Sequence, residues 1–189
     1  MIEFESDIQG CLQALRAGGV ILNPTDTVWG LGGDATNESA VSKIYAVKQR
    51  PLSMPLIVLV TEEQDILYHV AAPDLAVFDY LKTCSVPTTV VYEGAIGFAY
   101  NLVGADGSVA IRICSDPFCR ALLKRFGKPI VSTSANLHGS PTPARFSDIA
   151  PSIIRQVDYV VGYRQTDPQK AQSSTLIRWE QGAPVILRS

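Results

Sequence analysis

Two segments carry residue types that can do chemistry: Lys48-Gln49-Arg50-Pro51 and Ser132-Thr133-Ser134-Ala135-Asn136. The first sets two cations at the end of a predicted helix. The second sets hydroxyls and an amide just after a predicted buried strand. Cations beside small polar groups hold phosphates and carboxylates through charge-assisted hydrogen bonds. Such a set needs neither a metal-ligand cluster nor a side-chain nucleophile, and the sequence shows no sign of either. His69 and His138 stand alone, and the cysteines at 11, 84, 114 and 119 form no Cys-x-x-Cys pair, so no protein metal site is expected.

Each residue also has a plainer reading. Lys48 falls on the helical stripe of Val41, Ile44 and Tyr45, where a helix-end lysine can snorkel and favour the negative end of the dipole. Arg50, fixed beside Pro51, turns the reading toward an anion site, because a guanidinium offers a planar fork. Arg112 lies in Val109-Ala110-Ile111-Arg112-Ile113, on the face opposite the three branched residues. A buried arginine needs a partner. A structural carboxylate and a substrate carboxylate satisfy that need equally well. Turn chemistry is the default for Pro24-Thr25-Asp26-Thr27 and for Gly139-Ser140-Pro141-Thr142. The stretch with Gly30, Gly32 and Gly33 reads as a glycine-rich loop, but it lacks the Walker A pattern.

The elements that must position these residues follow from periodicity. Ile8, Cys11, Leu12 and Leu15 mark a first helix ended by Gly18-Gly19, and a second helix runs from Thr36 or Asn37 to Arg50. Further helices are predicted over 62–69, 73–82 (with Pro73 in its opening turn), 117–126 and 147–155. Strands are predicted over 20–22, 56–60, 88–92, 109–113, 129–133, 159–161, 175–177 and 185–187. Many are wholly apolar, as expected of a sheet covered by helices on its faces. Strands and helices do not alternate strictly. The expected fold is therefore an α/β domain, 1–189, with a mixed, twisted open sheet flanked by helices. The polar run 164–173 reads as a mobile loop.

Composition sets the outer limits. The 189 residues are 47% apolar and 18% charged, enough for a sizeable core and unlike a disordered or coiled-coil chain. A net charge of −2 weighs against a dedicated nucleic-acid binder, although a local basic patch is compatible with it. No apolar run approaches the roughly 20 residues of a spanning helix, and no signal-peptide pattern opens the chain. A cytoplasmic protein with reduced, mostly buried thiols is expected, with no membrane partner.

Taken together, the segments resemble the YrdC-like family, the threonylcarbamoyl-AMP synthases, in its short single-domain form. The resemblance runs from Asn23-Pro24-Thr25-Asp26-Thr27-Val28-Trp29-Gly30-Leu31-Gly32, through Lys48–Pro51, Val109–Arg112 and Ser132–Asn136, to Ser174-Thr175 and Ile186-Leu187-Arg188. It implies a deep, positively lined cavity. It implies condensation of L-threonine, bicarbonate and ATP, the last with Mg²⁺, to threonylcarbamoyl-AMP and pyrophosphate for tRNA threonylcarbamoyladenosine. Lys48, Arg50, Ser134 and Asn136 match the signature tetrad and are the implied catalytic set. Thr27, Arg112, Ser132 and Ser174 match threonine-binding positions. Arg50, Ser108, Ser134, Thr142 and Arg188 match ATP-binding ones. Closure of the 164–173 segment over the product is a further expectation. The implied partners include tRNA and downstream threonylcarbamoyl-transfer proteins.

The sequence departs from the family at several places. Met54 stands where lysine or asparagine is common, Leu59 and Asp116 where histidine is, and Ser85-Val86-Pro87 where Pro-Gly-Pro is usual. The rival readings are an RNA-binding module that makes no adenylate, and a paralogue that makes another carbamoyl-adenylate.

Overall fold

The computed structural model describes residues 3–167 and 172–189. Nine strands form a single sheet: β1 (Ile21–Asn23), β2 (Gly30–Asp34), β3 (Ile57–Val60), β4 (Thr88–Tyr92), β5 (Val109–Ile113), β6 (Ile130–Ser134), β7 (Tyr159–Val160), β8 (Thr175–Glu180) and β9 (Ala183–Arg188). Their spatial order is β7-β1-β2-β6-β3-β5-β4-β8-β9. Parallel pairs (β1 with β7, β3 with β5, β4 with β8) are interspersed with antiparallel ones, so the sheet is mixed, as expected.

The helices are α1 (Glu5–Arg16), α2 (Glu38–Lys48), α3 (Glu63–His69), α4 (Ala76–Thr83), α5 (Pro117–Phe126) and the short α6 (Pro151–Ile154). Local chemistry fixes the two that matter most. Asn37 caps α2 by accepting from the Ser39 and Ala40 N–H groups, and Gln49 ends it in the left-handed region at φ 51°. Asp116 caps α5 through the Cys119 N–H, Pro117 follows at its start, and Gly127 closes it at φ 74°. Helix α2 packs against β2, while α1 and α5 pack against each other. None of the described helices is long and apolar enough to cross a membrane.

The structure corrects three element boundaries. The stretch expected as a glycine-rich loop is β2, buried along its whole length between β1 and β6. Glycine is a poor strand former, so propensity hides this strand, yet close packing demands it. A Cβ on Gly32 would lie 2.9 Å from Ile21 Cγ1 and 3.1 Å from Asn23 Oδ1; one on Gly33 would lie 2.9 Å from Ile44 Cδ1. The expected 147–155 helix is instead a 3-10 turn (Phe146–Asp148) followed by α6. Pro151 separates them by holding Ala150 extended at ψ 132°. Pro73 precedes α4 rather than opening it.

Gly32→Ala should cost about 1–3 kcal/mol of stability in urea unfolding, the range of an overpacked core. Gly33→Ala should cost less, because Ile44 Cδ1 is a side-chain end that can swing aside.

Candidate functional site

Strand register brings the segments together. Gly30 of β2 pairs with Ser134 of β6, Ser132 with Ile57 of β3, and Ile57 with Ala110 of β5. A cavity of about 270 Å³ opens there, lined by these residues and by Thr27, Arg50, Met54, Arg112, Ser174 and Arg188. Gly30 keeps the floor open: a Cβ there would sit 3.0 Å from Ser132 Oγ. Three guanidinium groups from distant parts of the chain thus face one hollow.

Their partners differ. Arg112 is 3% exposed, and its Nη2 donates to Asp26 Oδ1 at 3.0 Å and Thr27 Oγ1 at 3.1 Å. Its buried Nε has no partner among the described residues. The question left open by sequence has a structural answer: the carboxylate of Asp26 is present, and part of the guanidinium fork is still unused. Among the described residues, Arg50 donates only to the carbonyls of Pro55 (3.0 Å) and Met54 (3.4 Å), and Arg188 Nη2 only to that of Ser174 (3.0 Å). Neither has a carboxylate within ion-pair distance there. Burial lowers the Arg50 pKa; Tyr45 opposes the shift and repulsion from Arg188 adds to it. Two uncompensated cations side by side make an anion site.

Lys48 is placed differently. It is 1% exposed, and its ammonium donates to the Ser134 carbonyl, to Asn136 O at 2.9 Å and to Asn136 Oδ1 at 3.3 Å. Ser134 Oγ donates to the same Asn136 Oδ1 at 2.6 Å, and Asn136 Nδ2 to Ser140 O at 2.7 Å. Lys48, Ser134 and Asn136 therefore form a closed hydrogen-bonded clamp that pins the turn after β6 to the end of α2. Arg50 stands outside it, at the cavity. The snorkelling expectation for Lys48 fails because the turn covers its ammonium with carbonyl oxygens.

The remaining expected site residues divide. Thr27 Oγ1 lies 3.0 Å from Thr25 Oγ1, and Ser174 Oγ 2.8 Å from Thr89 Oγ1, so both hydroxyls are held against the cavity wall. Asn136 and Thr142 line a second cavity of about 420 Å³, with Ser140 and Asp148. Among the described residues, no lysine or arginine lines it. Ser108 does not line either cavity. Asp106 captures its hydroxyl at 2.6 Å in the turn before β5. Met54 lines the arginine cavity, whereas Leu59 is 2% exposed and packed near Cys119 and Leu122. Of the 164–173 segment, residues 168–171 lie outside the described residues.

Sequence reading missed two site-building contacts. One is Asp26 with Arg112. The other is Arg164 with Asp116 at 2.7 Å, which fastens the turn at 163–166 to the cap of α5. Both join residues far apart in sequence, and neither leaves a local signal. No group of three or more His, Cys, Asp or Glu side chains converges as a metal site among the described residues.

Fold and site define a mixed α/β protein with an arginine-lined anion cleft. Residues 13–189 match the Sua5/YciO/YrdC family model, which carries the description "Telomere recombination", and the chain belongs to that family. A protein named threonylcarbamoyl-AMP synthase from Stenotrophomonas maltophilia (strain K279a) is 32% identical over 160 residues, 83% of this chain and 86% of its own. One of the same name from Saccharophagus degradans is 38% identical over 136 residues, 68% of each chain. The solved structure of P. abyssi Sua5 complexed with L-threonine matches with a TM-score of 0.84 at 25% identity, covering 97% of this chain. This chain spans 54% of that one's length. E. coli YciO matches in fold, with a TM-score of 0.83 at 23% identity over 97% of this chain and 89% of its own.

The Lys48 clamp predicts a pH signature. Burial, followed by repulsion from Arg50, pushes the ammonium down to about 8 from its ordinary 10.5. Between those values the unfolded chain binds the extra proton, so this group's contribution to stability rises with pH. Lys48→Met lacks that gain. Urea unfolding at pH 7.5 and 9.5 should show the wild type gaining on the variant at the higher pH.

Proposed function

We propose that the protein is an L-threonylcarbamoyladenylate synthase that condenses L-threonine, bicarbonate and ATP to threonylcarbamoyl-AMP and pyrophosphate. One observation carries this reading: Arg50, Arg112 and Arg188 converge on one cavity, and of these three only Arg112 meets a carboxylate among the described residues. That cavity can hold a carboxylate and phosphates at once. The relatives named threonylcarbamoyl-AMP synthase and the threonine complex of P. abyssi Sua5 support the same substrates.

The proposed reaction begins when the threonine amine and bicarbonate give N-carboxythreonine and water. The new carboxylate attacks the α-phosphorus of ATP, and the bond to the bridging oxygen breaks to release pyrophosphate. Charge moves among oxygens throughout, so the protein's task is positioning and electrostatic stabilisation. Arg112, with its free guanidinium edge, receives the threonine carboxylate beside Thr27, Ser132 and Ser174. Arg50 and Arg188 offset phosphate charge. Lys48 and Asn136 act by holding the Ser134 turn in place. The second cavity, with Asn136 and Thr142, suits the nucleoside end of ATP. Mg²⁺ enters with ATP as part of that substrate, held by phosphate and water oxygens.

Product use follows from the same reading: the adenylate is handed to proteins that transfer threonylcarbamoyl to tRNA, in the cytoplasm. The test is product analysis after mixing the protein with ATP, threonine and bicarbonate. Pyrophosphate release that requires all three supports the synthase. RNA binding without turnover would support the binding-module alternative. Arg50→Ala should lower pyrophosphate release about a hundredfold or more, the scale of losing one transition-state donor, with an unchanged melting curve. Arg112→Ala should chiefly raise the threonine KM; if it unfolds the chain instead, Arg112 is structural.

A further inference from the structure

Arg112 and Asp26 form a nearly closed ion pair, with side chains 4% and 6% exposed. Asp26 does not line the cavity, whereas Arg112 does. The second carboxylate oxygen of Asp26 is also engaged: Oδ2 accepts from the Ser115 N–H at 3.1 Å and the Ser115 hydroxyl at 3.4 Å. The carboxylate is thereby locked against the guanidinium, and its charge cancels that of Arg112. Arg50 and Arg188, which line the same cavity, have no such cancellation among the described residues. One hollow is therefore lined by one neutralised cation and two bare ones.

We propose that Asp26 is a specificity-determining positioning residue: it neutralises Arg112 so that this end of the cavity accepts a zwitterionic amino acid and refuses a polyphosphate. The inference rests on the threonine and ATP reading above. A free amino acid carries one positive and one negative charge, so a neutral pair with an unused guanidinium edge can bind its carboxylate through hydrogen bonds. Arg112 Nε is buried and has no partner among the described residues, so the ion pair leaves part of the guanidinium unused. A polyphosphate has no compensating charge of its own, and the bare cations Arg50 and Arg188 hold it better. Without Asp26, Arg112 becomes a third bare cation, and phosphate competes for the amino-acid end.

The experiment is calorimetric titration of the wild type, Asp26→Asn and Asp26→Glu with pyrophosphate and with L-threonine, each after a melting curve. The wild type should bind one pyrophosphate, and saturating pyrophosphate should leave threonine affinity unchanged. Asp26→Asn should bind a second pyrophosphate that threonine displaces. Its apparent threonine Kd should rise in proportion to pyrophosphate concentration above the Kd of that second site, as direct competition requires. Asp26→Glu keeps the charge and should behave as the wild type.

Competition between pyrophosphate and threonine in the wild type overturns the proposal with no variant needed. So does an Asp26→Asn protein with unchanged stoichiometry and threonine affinity, or a Glu variant that behaves like the Asn one. A wild type that binds pyrophosphate but no threonine defeats the functional reading instead. The pyrophosphate stoichiometry of Asp26→Asn then still decides the role of Asp26.

Discussion

The absence of a carboxylate partner for Arg50 and Arg188 among the described residues, on the lining of one cavity, is the constraint around which the site is built. Two guanidinium groups on the lining of one cavity, Arg50 half-buried and Arg188 exposed, are supported among the described residues by backbone carbonyls alone. The chain tolerates this because the rest of the fold holds the strands and turns that carry them. Arg50 is fixed by the left-handed end of α2 and by Pro51, and Arg188 by the β8–β9 hairpin at the sheet edge. An anion entering between them relieves the repulsion. Binding energy at this end is thus prepared in the free protein, as electrostatic preorganisation requires.

A second layer keeps that arrangement rigid. The Lys48 clamp commits its hydrogen bonds to oxygens of Ser134 and Asn136, so the turn after β6 moves with α2. Asp26 does the same for Arg112 from the β1–β2 connection, and Asp116 with Arg164 braces the turn at 163–166. Each brace joins segments far apart in the chain. The cavity is accordingly a property of strand order, since no single segment contains more than one or two of its walls.

Much of this was legible in advance. The start of α2 near Asn37, the helix over 117–126, the strands 56–60, 88–92 and 109–113, and the face of Arg112 opposite Val109 and Ile111 all follow from local rules, and the structure agrees. The gathering of Arg50, Arg112, Ser132, Ser134, Ser174 and Arg188 was reached only through the family resemblance. Composition and periodicity are silent about Arg188, one residue from the end of the chain. Strand β2 was missed because its glycines answer to Ile21, Asn23 and Ile44, which are neighbours in space only. Ser108, matched to an ATP-binding position by the resemblance, is hydrogen-bonded to Asp106 in the turn before β5, a local contact that a motif match does not show.

The sequence by itself determined the kinds of groups available: guanidinium, ammonium, hydroxyl and amide, with helix ends and apolar strands to carry them. These follow from interactions among residues a few positions apart, which the order of residues states directly. Only the tertiary structure decided which cations are neutralised and which remain bare. Asp26 meets Arg112 and Lys48 meets Asn136 because β2, β6, β3 and β5 lie side by side in that order. Pairing across a mixed sheet depends on register and crossover, and neither is written in any local stretch of the chain.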